Sequence, residues 1–123
     1  MPSMQAVVMS RTGGPEVLAV QSLPVPELPS PRYVRVRLHA AGVNPVDTKL
    51  RANGTYYPGR LPAILGCDGA GVVEAVGDKA TRFQSGDKVY FCSGGIGGEP
   101  GNYATYNTVH EDYVARMPAN LDF

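Results

Sequence analysis

The sequence predicts a mainly β fold: a closed or nearly closed barrel of six or seven short strands with one short helix. Three observations carry this. The 15 glycines and 11 prolines of the 123 residues are spread along the chain, which is the punctuation of short strands and turns. Tyr33–Ala41 alternates apolar and polar residues with the period of a strand. One stretch, opening at Asn44, carries the residue types that start a helix.

Gln5–Met9 reads as the first strand and Val17–Val20 as its partner, joined by a loop too long for a two-residue turn. Pro24, Pro26, Pro29 and Pro31 then exclude a helix or a central strand and predict an extended surface connection. That connection holds a PxxP, Pro26 to Pro29, read as connector rather than as ligand for an aromatic groove. In Tyr33–Ala41, Val34, Val36, Leu38 and Ala40 take the core face, and Arg35, Arg37 and His39 take the solvent. Asn44 suits an N-cap, Pro45 the first helical position, and Asp47 the positive end of the helix dipole. The helix is expected to run through Arg51 and to stop at Asn53-Gly54. Val72–Val76, Lys88–Phe91, Asn102–Val109 and Tyr113–Met117 read as further strands. The stretch Pro118–Phe123 reads as a strand exit running toward a helix, so a further unit is expected to follow Phe123.

Composition excludes several function classes. Eleven basic residues against eleven acidic ones give no basic patch to neutralise phosphates, so nucleic acid is not the expected partner. No stretch nears the ~20 consecutive apolar residues that a spanning helix needs, so no membrane partner is expected. The N-terminus lacks the charged-then-apolar pattern of a secretory signal. Two cysteines make no disulfide framework, and a reducing, cytoplasmic setting is expected.

Chemical motifs are sparse. The run Gly94-Gly95-Ile96-Gly97-Gly98 fails as a dinucleotide turn, because position 100 is proline and a β-like stretch follows in place of a helix. It is expected to be a flexible loop. Cys67, Cys92, His39 and His110 show no metal-ligand spacing. Each cysteine is read as buried and inert, and His39 as solvated. No GxSxG is present. The local chemistry therefore ends at a polar helix start, Asn44–Asp47, for which capping alone is a sufficient account.

Taken together, five stretches in order resemble the N-terminal domain of the zinc-independent medium-chain dehydrogenases/reductases, on the quinone oxidoreductase, zeta-crystallin-like branch. They are Gly13-Gly14-Pro15-Glu16-Val17-Leu18, Ala41-Gly42-Val43-Asn44-Pro45-Val46-Asp47, Gly66-Cys67-Asp68-Gly69-Ala70-Gly71-Val72-Val73, Val76-Gly77 and Gly86-Asp87-Lys88-Val89. The resemblance implies a GroES-like, partly open β-barrel with one or more short helices, filling 1–123. It implies that a Rossmann domain binding NADPH lies outside this chain, with the cleft between the two. Homodimerisation of the full-length protein, mainly through that other domain, is implied as well.

The resemblance also implies the site. Asn44 and Asp47 are expected to be catalytic, with Asn44 also contacting the cofactor, and Tyr56 and Tyr57 are expected to bind substrate. Asn44 and Tyr56 would donate hydrogen bonds to a carbonyl or to the carboxamide, while Asp47 orients its neighbours. Zinc-dependent relatives carry Cys at the position of Asn44 and a His-Glu pair at Cys67-Asp68, and their four-cysteine lobe is reduced here to Cys92. No metal is expected. Lys49 stands where close relatives often have Tyr, and Tyr57 and Arg60 border the cleft loop. Two readings follow. One is the catalytic-domain half of an NADPH-dependent oxidoreductase acting on a small molecule, either a quinone or an α,β-unsaturated carbonyl. The other is a non-enzymatic GroES-like binding or structural module.

Overall fold

The computed structural model describes residues 2–123. Seven strands occur among them: β1 (Ser3–Met9), β2 (Leu18–Pro24), β3 (Tyr33–Gly42), β4 (Asp68–Val76), β5 (Lys88–Cys92), β6 (Tyr106–His110) and β7 (Val114–Arg116). One α-helix, α1 (Pro45–Asn53), follows β3, and short 3-10 turns cover Pro15–Val17 and Glu111–Tyr113. All strand pairs are antiparallel. They form a five-stranded sheet in the order β6-β3-β4-β5-β7 and a two-stranded sheet, β1-β2.

Residues 103–105 seam the two sheets together. The amide of Val7 donates to Tyr103 O and that of Thr105 to Gln5 O, while Leu38 N donates to Thr105 O from the other side. The barrel is therefore partly open, with β2 and β7 at its free edges. Val34, Val36, Val73, Phe83, Val89, Phe91, Val109 and Val114 fill the core of the larger sheet. A second cluster joins Leu50 of α1 to Met9, Val17 and Leu65, with Tyr103 packed on it.

Several boundaries differ from the sequence reading, each for a physical reason. Val17 ends a 3-10 turn begun by Pro15, and the strand after it runs on to Pro24. Proline is tolerated there because β2 pairs only with β1 and has a free edge. β4 begins at Asp68 rather than Val72. Its first residues are small because the backbones crowd: a Cβ on Gly71 would sit 2.0 Å from Arg37 O. The β3 register slips between Leu38 and Ala40, and this bulge turns Ala40 out to the exposed face. Residues 102–105 form the seam and only an isolated bridge, Ala104 to Ala6, so β6 starts at Tyr106. Tyr113 belongs to the 3-10 turn before β7.

Two further readings are also corrected. Cys92 is exposed rather than buried. The glycine run is not a loose loop but a packed one, with Gly95 and Gly97 buried. A Cβ on Gly95 would lie 2.5 Å from Gly66 O, and one on Gly97 would lie 2.3 Å from Thr55 Oγ1. These glycines let the loop lie flat against the Thr55–Tyr57 turn, where Tyr56 N donates to Ile96 O.

Candidate functional site

The end of β3 delivers Asn44 in an extended conformation, φ −117° and ψ 155°, immediately before Pro45 opens α1. Asp47 sits at the third helical position and is buried. Its Oδ2 accepts the Asn44 backbone N–H at 2.9 Å, and Asp47 N in turn donates to Asn44 O at 3.0 Å. The pair has the reciprocal layout of a capping box. The strong side-chain bond of Asn44 goes elsewhere, however: its Nδ2 donates to Asp68 Oδ2 at 2.8 Å. Capping alone is therefore not the whole account of Asn44.

Asp68 opens β4 directly opposite Gly42 in the register. A Cβ on Gly42 would come within 3.3 Å of the Asp68 carboxylate, so the glycine leaves room for the contact with Asn44. On its other side Asp68 lines an open, largely apolar hollow of ≈ 740 Å³ with Ala40, Ala70, Tyr90 and Cys92.

Tyr103 completes the group. Its hydroxyl donates to Asp47 Oδ2 at 2.5 Å and lies 3.4 Å from Gly42 O. Burial, then the bond to Asp47, push its phenol well above the usual tyrosine range. Burial likewise pushes the Cys67 thiol up, and hydrogen bonding toward Asp68 does so for Cys92. Neither cysteine is set up as a thiolate nucleophile or ligand. Among the described residues no three His, Cys, Asp or Glu side chains converge as a metal site, and Asp68 Oδ2 is taken by an amide. These residues alone do not supply the three or four ligands of a zinc site.

The four residues expected from the sequence are not brought together equally. Asn44 and Asp47 are in direct contact. Tyr56 and Tyr57 are exposed on the turn after α1, and among the described residues no side-chain hydrogen bond joins them to Asn44 or Asp47. Tyr57 packs across Gly98, with the Arg60 guanidinium 5.8 Å from its ring centroid. Lys49 points outward on α1. Sequence reasoning missed Tyr103, which lies 56 residues from Asp47, and gave Asp68 no role. Asp68 could have been found from the Gly-Cys-Asp-Gly stretch, but Tyr103 has no local signal.

Residues 30–119 match the alcohol dehydrogenase GroES-like domain. The chain belongs to this family. The quinone oxidoreductase of Homo sapiens is 43% identical over 121 residues, covering 98% of this chain and 35% of that protein. That of Lama guanicoe is 42% identical with the same coverage. The quinone oxidoreductase from Coxiella burnetii superposes with a TM-score of 0.90 at 29% identity, over 99% of this chain and 39% of that one. The Escherichia coli quinone oxidoreductase complexed with NADPH superposes with a TM-score of 0.83 at 30% identity, over 97% of this chain and 35% of that one. The GroES-like chain thus spans about a third of the length of the curated relatives it matches. No helix of its described residues is long and apolar enough to cross a membrane.

Proposed function

We propose that this GroES-like domain, 1–123, is the substrate-side half of an NADPH-dependent oxidoreductase that reduces quinones or α,β-unsaturated carbonyls. The quinone oxidoreductases among its relatives support the reaction class, and the Escherichia coli enzyme complexed with NADPH supports the cofactor. The observation that carries the reading is Asn44. Its half-buried side-chain amide is bonded to Asp68, which lines an apolar hollow wide enough for a planar ring, while Asp47 holds its backbone N–H at the helix start.

The residues present fit the nicotinamide end of the cofactor and not its phosphates. Asn44 keeps one Nδ2 hydrogen beyond the bond to Asp68, free to meet a carboxamide or carbonyl oxygen. The N-terminus of α1 is already occupied by the Asp47 carboxylate, so it is closed to pyrophosphate. Bound NADPH supplies hydride; the protein positions and polarises. In this reading Asn44 orients the carbonyl or carboxamide, Asp47 holds Asn44, and Tyr56 and Tyr57 form an aromatic border for the substrate. The cofactor domain lies in the rest of a longer protein, which is cytoplasmic and homodimeric.

The test is NADPH oxidation by the full-length protein with p-benzoquinone and with an α,β-unsaturated ketone. Turnover that falls about tenfold or more on Asn44→Ala supports the reading. Absence of turnover with every acceptor favours a non-enzymatic module.

A further inference from the structure

We infer that Tyr103 is a positioning residue for Asn44, acting through the carboxylate of Asp47. The inference rests on the function proposed above and goes one step deeper into the same site. The backbone of Tyr103 is held from outside α1, although its ring packs against the cluster that includes Leu50 of that helix. Its N–H donates to Leu65 O and its carbonyl accepts from Val7 N, so its backbone is pinned from both sides. Its ring lies in space kept open at Gly66, where φ is +103° and a Cβ would lie 2.8 Å from the ring. The hydroxyl emerges at Asp47 Oδ2, the same oxygen that receives the Asn44 N–H.

Asp47 is buried, and its other oxygen, Oδ1, has no hydrogen-bond partner. The phenol is therefore half of what holds this carboxylate in place. Without it, Asp47 would keep one donor, the Asn44 backbone N–H that it fixes, and the residue carrying the side-chain amide would gain freedom with it. A shift of that kind is costly where a reacting group must be oriented: about 1 Å of misplacement can cost on the order of a hundredfold in rate. A purely space-filling tyrosine would not need its hydroxyl at hydrogen-bond distance from a buried carboxylate.

Tyr103→Phe in the full-length protein keeps the ring and removes only the hydroxyl. With NADPH and p-benzoquinone, the expected result is kcat lowered about tenfold, KM for NADPH within about twofold, and an unfolding temperature close to wild type. Asn44→Ala alone lowers kcat, and adding Tyr103→Phe to it brings no further loss, because the group to be positioned is gone. Independently of turnover, hydrogen exchange of the Asn44 amide is expected to quicken in Tyr103→Phe while the β4 amides keep their protection. Wild-type kcat in Tyr103→Phe, or two losses that multiply in the double variant, overturns the inference. A wild type that oxidises no NADPH overturns the functional reading instead, and unchanged exchange at Asn44 then overturns the positioning role.

Discussion

Asn44 Nδ2 and Asp68 Oδ2 lie 2.8 Å apart across 24 residues of sequence. The helix-start amide is thereby tied to the first residue of a sheet strand, and the usual equivalence of Asn and Asp at an N-cap no longer holds here.

Asn44→Asp is the substitution that shows it. For a cap alone it is nearly neutral. Beside Asp68 it replaces a bond to a charged acceptor, worth about 1.5–3 kcal/mol, with two facing carboxylates. Urea unfolding at neutral pH is expected to show a loss in that range, and Asn44→Asp with Asp68→Asn, which restores the donor and acceptor in reverse, is expected to recover most of it.

Gly66→Ala forces a side chain into the left-handed region and against the Tyr103 ring. The expected cost is about 2–4 kcal/mol, read by the same unfolding measurement. Gly59→Ala, also at positive φ but with open space around it, is expected to cost less.

Glu111 is expected to contribute to acid stability. Burial pushes its carboxyl up, but the amides of Arg82 and Thr81 and the Arg32 guanidinium outweigh burial and hold it below the ordinary glutamate range. A carboxylate depressed on folding stabilises above its unfolded value and loses that contribution as pH falls through its folded one. Melting temperature is therefore expected to fall steadily below about pH 4.5. Glu111→Gln is expected to melt several degrees lower at neutral pH and to show a shallower acid limb. An acid limb as steep as wild type would assign that effect to other carboxylates, such as Asp87, which hydrogen bonding from Gln84 and Arg116 also holds low.

Elemental analysis is expected to find no stoichiometric zinc, and chelator treatment is expected to leave the unfolding temperature unchanged. Tightly held zinc would mean that Asp68 or Cys67 turns toward a metal in solution.

Residues 1–123 expressed alone are expected to fold, since their strands close three apolar clusters, and to bind no NADPH at micromolar concentration. Calorimetric titration reads this directly. The exposed Leu61, Tyr56 and Val43 are expected to promote self-association. Leu65 is not expected to contribute, because it is buried with Leu50 of α1.

What the sequence made legible was local. The alternation of Val34 and Val36 placed β3, and Asn44, Pro45 and Asp47 placed α1 because capping chemistry lies within three residues. The start of β4 was hidden because Gly69, Ala70 and Gly71 carry little β-propensity; close approach of the Arg37 backbone selects them. Ala40 was misplaced because a bulge leaves no mark on an alternating pattern. Tyr103 was unreadable for a different reason. Its role depends on where a distant carboxylate is carried by the fold, and a tyrosine in a β-like run looks the same with or without that partner.

The seam at residues 103–105 also limits how the site could be transplanted. The short motif from Asn44 to Asp47 looks portable, four residues at a helix start. The hydroxyl that steadies it arrives on backbone pinned to β1 at Val7 and to Leu65, two residues before the chain bonds β3 through Thr105. A scaffold that received only the helix start would inherit a cap; to inherit the oriented amide it would need β1, the Leu65 segment and the stitch between them.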